Sequence, residues 1–377
     1  MTDVVEILRE LVAIDSVSAR SNVPIAAALE ARLVDLGLRV RRFPYVDPAG
    51  IEKVNLLAVA GPETDPPGSG GLCFVGHTDV VPHDPAWTSA LTLEERDGKL
   101  YGRGTADTKG FLAAVMVAIG RIDRRRLAKP LACLFTADEE IGCIGAGRLV
   151  REPPLRPAHA IVGEPTSLAP VRAHKGYWLA EVEVRGAEGH SAYPEVGRSA
   201  ILDAARLLLR IEAVADGLRD DRDPTFAPPF TTVNVGTIAG GKAQNVIPGS
   251  CRFPIEWRPL PGRDGEEVAR RIRAEIERLR AADPRFEARL EVVRRDAGVE
   301  TAADAELVRF LEEETGRPAT AVPFGTELPQ LTAMGARGCV CGPGDIRVAH
   351  RTGEFVPREE LDRAVELYTR AIERFCA

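Results

Sequence analysis

Positive charge is nowhere concentrated in this chain. Its longest basic block is Arg124-Arg125-Arg126, and 49 Lys+Arg against 56 Asp+Glu leave a net charge of −7. A nucleic-acid-binding face has no electrostatic footprint here. Long apolar runs are missing too: the longest, Phe111 to Ile119, is far too short to cross a bilayer. The opening MTDVVEILRE has no basic stretch leading into an apolar one, so no secretory signal is read. Neither a membrane nor a nucleic acid is expected as a partner. Cysteine is sparse, odd in number at seven, and scattered. Cys339 and Cys341 share one face of an apolar strand, where they read as reduced core thiols; a zinc–thiolate site would ask for Cys-x-x-Cys pairs. The expected compartment is the cytoplasm. No GxGxxG or GxxxxGK(S/T) follows a strand, which removes the usual phosphate cradles.

At 377 residues the chain exceeds one ordinary core, so two domains are expected. Asp3 with Glu6 resembles a capping box ahead of the apolar face Val4, Val5, Leu8, Leu11 and Val12. Pro24 opens a second helix, and Gly37 ends it. Strands at about 38–45, 54–60, 72–77, 131–136 and 159–163 alternate with helices near 108–122 and 144–151. Arg124-Arg125-Arg126 reads as the end of a helix-like segment. This rhythm predicts an α/β domain, a mostly parallel mixed sheet with helices on both faces. The middle differs. A strand alternating through Trp178, Ala180, Val182 and Val184 precedes a helix at 196–213, strands at 231–238 and 250–257, a helix at 264–281 and a strand at 286–293. That βαββαβ order is ferredoxin-like. The expected division is therefore an α/β domain from residues 1–174 and 297–377, with an α+β module, 175–296, inserted between them.

Four acidic or histidine-bearing turns follow or close apolar runs: GHTDVVP at 76–82, GRGTADTKG at 102–110, TADEEIG at 136–142 and VGEPTS at 162–167. A fifth, AHRTGE at 349–354, lies far downstream. Imidazoles and carboxylates gathered at strand ends suit a hard or borderline divalent metal. His77 and Asp79 sit two apart on a strand and emerge together, as a ligand and the carboxylate that orients its ring would; a capped strand end reads equally well. Asp107 serves as a helix N-cap or, with its two oxygens, as a bridge between cations roughly 3.5–4 Å apart. Glu139 and Glu140 end a buried-looking strand and diverge, so that one can ligate while the other stays free to carry a proton. Glu164 is a ligand or a turn acid; His350, the only histidine beyond His190, is a ligand or a structural residue. Together His77, Asp107, Glu140, Glu164 and His350 make five ligands, enough for two metals if Asp107 bridges.

These motifs resemble the dinuclear-zinc family of deacylases and exopeptidases, in order and across essentially the whole chain. GEPTSLAPVRAHKG (163–176), WRPLPG (257–262), FGTE (324–327) and CGPGDIRVAH (341–350) look like the branch that releases acetate from N2-acetyl-L-ornithine for arginine biosynthesis. GHSAYP at 189–194 is more similar to the succinyl-diaminopimelate branch. The resemblance implies two divalent ions, zinc with cobalt or manganese as alternatives. His77, Asp107 and Glu164 would hold one; Asp107, Glu140 and His350 would hold the other. It makes Glu139 the general base, Asp79 the buttress of His77, and the Asp107–Thr108 peptide cis. His190 would reach the substrate oxygen from the partner subunit of a homodimer formed through the inserted lid module. The substrate is expected to be a small N-acyl amino acid. Arg258 is expected to fork its carboxylate, Asn245 to assist from the lid, and Gly325 and Thr326 to lend backbone and hydroxyl bonds. Glu327 would pair with a side-chain ammonium, or stand as a solvated or helix-capping acid.

Overall fold

The structure is a computed structural model that describes residues 3–377. Two compact units emerge. One runs to Arg172 and takes in Thr301–Thr320 and Thr326–Ala377; the other comprises Ala173–Glu300 and Ala321–Gly325.

In the first unit the helix Val4–Ala13 starts where the Asp3 carboxylate accepts the Val5 N–H, and it buries Val4, Val5, Ile7, Leu8, Leu11 and Val12. The helix Val23–Asp35 carries Pro24 in its first turn and stops before Gly37, whose φ of 75° only glycine adopts freely. Six strands lie side by side in the order Arg39–Val46, Glu52–Ala60, Leu131–Thr136, Leu72–His77, His159–Pro165, Arg337–Gly342. The last four are parallel. The first two form an antiparallel hairpin across the turn at 47–51, because so short a connection cannot return a strand in the same direction, and the second of them joins Leu131–Thr136 antiparallel. The sheet is thus parallel at its centre and antiparallel at this margin.

Register then places the chemistry. His77 lies opposite Thr136, and Val75 opposite Val162, so the ends of three parallel strands deliver His77, the 137–140 turn and Glu164 to one edge. In open α/β sheets that edge is where ligands bind. The helix Lys109–Arg121, buried along most of its length, packs across the same strands with Asp107 just ahead of it. Two glycines make this approach possible. A Cβ at Gly163 would lie 2.2 Å from the Phe111 ring, and one at Gly76 would lie 2.9 Å from it. The glycines preceding Glu164 and His77 are therefore packing residues. The helix Arg358–Cys376 lies alongside, with Tyr368 against both Phe74 and Phe111 at ring separations of 5.3 and 5.2 Å.

A small side sheet of Glu94–Arg96, Lys99–Tyr101 and Phe355–Pro357 has no counterpart in the sequence reading, since three-residue strands carry no usable period. The Arg124–Arg126 block is a separate 3-10 turn capped by Asp123, with extended Ile122 between it and the preceding helix.

The second unit has the expected βαββαβ order: Tyr177–Arg185, Ala200–Asp216, Thr232–Asn234, Ser250–Arg258, Glu266–Ala282 and Glu287–Asp296. Its sheet runs 232–234, 250–258, 177–185, 287–296, antiparallel throughout. Val182, Phe253, Ile255 and Trp257 meet Leu207, Ile211, Ile272 and Ile276 of the two helices in one apolar core. Among the described residues no helix is long and apolar enough to cross a membrane. All seven cysteines are free and buried, and burial pushes the Cys341 thiol up to about 12.

Candidate metal centre

Asp107 stands between the two histidines. Its Oδ1 lies 2.9 Å from His77 Nε2 and its Oδ2 lies 3.1 Å from His350 Nε2. His350, held at a positive φ of 60°, also reaches Glu140 Oε2 at 3.0 Å. On the other side His77 Nε2 is 4.0 Å from Glu164 Oε1. Ligand atoms of His77, Asp107 and Glu140, and again of His77, Glu139 and Glu164, fall within 4.8 Å of one another. All five expected ligands and Glu139 therefore converge, from segments as far apart as residues 77 and 350. The Asp107–Thr108 peptide is cis.

This cluster is strongly acidic, and the positive charge within it comes from its two imidazoles. Burial, and then the surrounding carboxylates, push Glu139 up to about 8 and Glu164 well above the ordinary carboxylate range; Glu140 is raised for the same reasons. Against the cost of its own burial, Asp107 is held below its usual range by hydrogen bonds from His350 and His77. Hydrogen bonds to Asp107 and Glu140 lift His350 to about 10. Protons held on the imidazoles and carboxyls thus offset the crowding of these acids. Glu140 Oε1 is buried with no hydrogen-bond partner among the described residues, and such an atom costs about 1–3 kcal/mol. Imidazole nitrogens with several converging carboxylate oxygens are a donor set suited to divalent zinc, cobalt or manganese, so the residues fit a metal.

Asp79 acts differently from expectation. The His77 ring is oriented by a backbone group, the Asp79 carbonyl, 2.8 Å from Nδ1; the Asp79 carboxylate lies 3.8 Å from that nitrogen. Its oxygens instead accept Ser18 Oγ at 2.7 Å and the N–H groups of Glu139 and Glu140 at 3.1 and 3.3 Å. The residue that follows His77 by two therefore fixes both the imidazole and the turn of the paired glutamates. Below that turn lies a network absent from the sequence reading. Asp138, at a positive φ of 58°, pairs with Lys53 at 2.7 Å, both side chains being 0% exposed, and accepts the Tyr45 hydroxyl at 2.8 Å. Lys53 also donates to the carbonyls of Ser18 and Arg20.

The expected substrate residues are less uniformly placed. Thr326 is buried, and its hydroxyl oxygen accepts the Leu328 N–H just ahead of the helix Leu328–Ala333. Glu327 is neither solvated nor a side-chain cap. It is fully buried near Thr136, His77 and Asp79, and desolvation lifts it to about 7. In the second unit, Arg258 stacks on Tyr177 with its guanidinium 3.7 Å from the ring centre, and donates to Glu256 at 3.1 Å. His190 and Asn245 are exposed and share one short ribbon: His190 pairs with Val246, and Ser191 N–H donates to the Asn245 carbonyl at 3.1 Å. Gly325 belongs to this unit, Thr326 to the other. Glu354, which the sequence reading passed over, is buried against the 102–107 loop; a glutamate four residues after a histidine in a polar turn carries no local signal.

Comparison with known proteins matches this geometry to a family. Over 370 residues the chain is 54% identical to a protein named acetylornithine deacetylase from Myxococcus xanthus, covering 98% of this chain and 96% of that one. A protein of the same name from Proteus mirabilis (strain HI4320) is 37% identical over 384 residues, covering 99% and 96%. Among solved structures, an M20 family metallo-carboxypeptidase from Sulfolobus solfataricus superposes with a TM-score of 0.79 at 17% identity, covering 99% of each chain, a likeness of fold. The family model for peptidase family M20/M25/M40 matches residues 73–374, a span that holds every one of the converging ligands. The chain belongs to that family, whose hydrolases depend on metal.

Proposed function

We propose that this protein hydrolyses N2-acetyl-L-ornithine to L-ornithine and acetate, a step of arginine biosynthesis. The whole-length likeness to a protein named for that reaction supports the substrate. The observation that carries the chemistry is Asp107, one oxygen facing each histidine. His77, Asp107 and Glu164 are assigned to one divalent ion and Asp107, Glu140 and His350 to a second, with zinc preferred and cobalt or manganese able to substitute. When bound, such a pair supplies Lewis acidity, lowering the pKa of water and polarising the amide carbonyl.

The chain's own residues do the rest. Glu139 takes the proton of the attacking water and returns it to the departing amine nitrogen. Asp79 keeps Glu139 in place through the peptide N–H groups it accepts. His190 is assigned to hydrogen-bond the carbonyl oxygen as charge develops there, reaching across from the partner subunit of a homodimer once the inserted unit closes as a lid. Exposed Ile201, Leu202 and Leu209 on the helix Ala200–Asp216 support an interface on that unit. Arg258, with Asn245, is assigned to the substrate carboxylate, and Gly325 to a backbone contact. Seven reduced thiols favour a cytoplasmic setting. A second reading, succinyl-diaminopimelate as substrate, rests on Tyr193 in GHSAYP.

The test is acetate release from N2-acetyl-L-ornithine beside succinate release from N-succinyl-diaminopimelate, both with saturating zinc. Preference for the first is expected. Inertness toward acetylornithine would retire it.

A further inference from the structure

Glu354 ties together two pieces of the centre that lie some 250 residues apart. Its carboxylate is fully buried and accepts four bonds. Oε1 takes the N–H groups of Ala106 and Asp107 at 3.0 and 3.1 Å; Oε2 takes the Gly104 N–H at 3.1 Å and the Arg103 guanidinium at 2.6 Å. Its own carbonyl accepts the Gly102 N–H at 3.1 Å. Every one of these donors belongs to the loop that presents Asp107. Four residues before Glu354 stands His350, whose ring meets the other Asp107 oxygen. The strand Phe355–Pro357, directly after Glu354, pairs with Lys99–Tyr101, directly before the loop, so both flanks are anchored in one small sheet.

We infer that Glu354 is a positioning residue of the metal centre: one buried carboxylate sets the Asp107 loop and the His350 turn against each other, so that the two sites form as a unit. A glutamine at this position would turn an amide donor toward N–H groups that have no other acceptor. The inference rests on the metal reading above. Residues that orient ligands from behind typically change metal affinity by about 10- to 100-fold when replaced.

The experiment is zinc titration of the full-length apoprotein against a chromophoric chelator, for wild type, Glu354→Gln and Glu354→Asp, with thermal melts of each apoprotein. Glu354→Gln is expected to weaken zinc binding by about 10- to 100-fold, with the aspartate variant between it and wild type. Excess zinc is expected to restore kcat with KM unchanged. A folded Glu354→Gln protein that melts lower but binds zinc with wild-type affinity and stoichiometry overturns the inference, since a purely structural role would do that. Should Glu354→Gln not fold, Arg103→Gln carries the test, because it removes the ion pair and leaves the three N–H bonds. A several-fold weaker affinity is then expected, and an unchanged one overturns the proposal. Failure of wild type itself to take up zinc would instead defeat the metal reading.

Discussion

Both units carry exposed ion pairs, but they differ in how much charge they bury and where. On the second unit most of it lies in water, buried Lys175 and Asp203 aside: along the helix Glu266–Ala282, Glu267 meets Arg271 at 2.8 Å and Glu266 meets Arg273 at 2.7 Å, all side chains at least 30% exposed, above an apolar core. The first unit, beside exposed pairs such as Arg374–Glu306, concentrates buried charge at the carboxyl edge of the sheet. Lys53, Asp138, Arg103, Glu327 and Glu354 are each 2% exposed or less, beside four carboxylates that repel one another. An exposed pair contributes little, because water already solvates both partners. A buried charge is costly unless it is paired, so its concentration in one place signals a counter-charge or a task that justifies it. The contrast is what separates scaffold from centre.

Four experiments sharpen or break it. The largest effect belongs to Glu139→Gln, which should lower kcat by about 10²–10⁴-fold while metal content stays that of wild type; steady-state kinetics with elemental analysis decide, and full activity would mean another base operates. Next comes Lys53→Met, which strands the Asp138 carboxylate in the interior. It should cost about 3–5 kcal/mol in urea unfolding, and a loss below one kcal/mol would show that the pair is not buried as described.

The third concerns pH. Glu139, Glu140 and Glu164 have folded-state pKa values above their unfolded ones, Glu139 at about 8. The folded apoprotein therefore holds more protons than the unfolded chain, and this contribution to stability is complete below about pH 4.5 and lost as pH rises toward 8. His77 and His350, also raised, act in the same direction, their share being lost only at higher pH. Asp107, lowered, acts oppositely, its share being lost only as pH falls below the ordinary carboxylate range. The gap in melting temperature between zinc-loaded protein and apoprotein should thus widen from pH 5 to 8; a gap that stays constant with pH would contradict it. Smallest is Arg271→Ala on the second unit, expected to leave the melting temperature within about 1–2 °C of wild type.

How far the sequence could be read follows the same contrast. The ligands were legible because each lies in a polar, glycine-containing turn that borders an apolar run, and a turn rich in acids at a strand end has few other uses. The βαββαβ order was legible from alternation such as Trp178, Ala180, Val182, Val184, which buries one face of a strand. Contacts made at a distance were not. The Asp79 carboxylate reaches Ser18 across 61 residues and Glu354 reaches Asp107 across 247, and no local period encodes either bond. Glu139 and Glu140 could be assigned roles, whereas the Lys53–Asp138 pair beneath them could not, since a lysine within the strand Glu52–Ala60 looks like any exposed strand residue until its neighbours are known. The direction of the hairpin at the sheet margin is carried by the short connection at 47–51, which no parallel crossover fits, and not by its strands.

The most direct test of the account is metal content per chain, by elemental analysis of wild type and Asp107→Ala after zinc loading and dialysis. Two ions per wild-type chain are predicted, and fewer than one in the variant that loses the shared carboxylate. A wild-type chain that retains no metal, or an Asp107→Ala chain that still holds two, would contradict a centre built around that bridge.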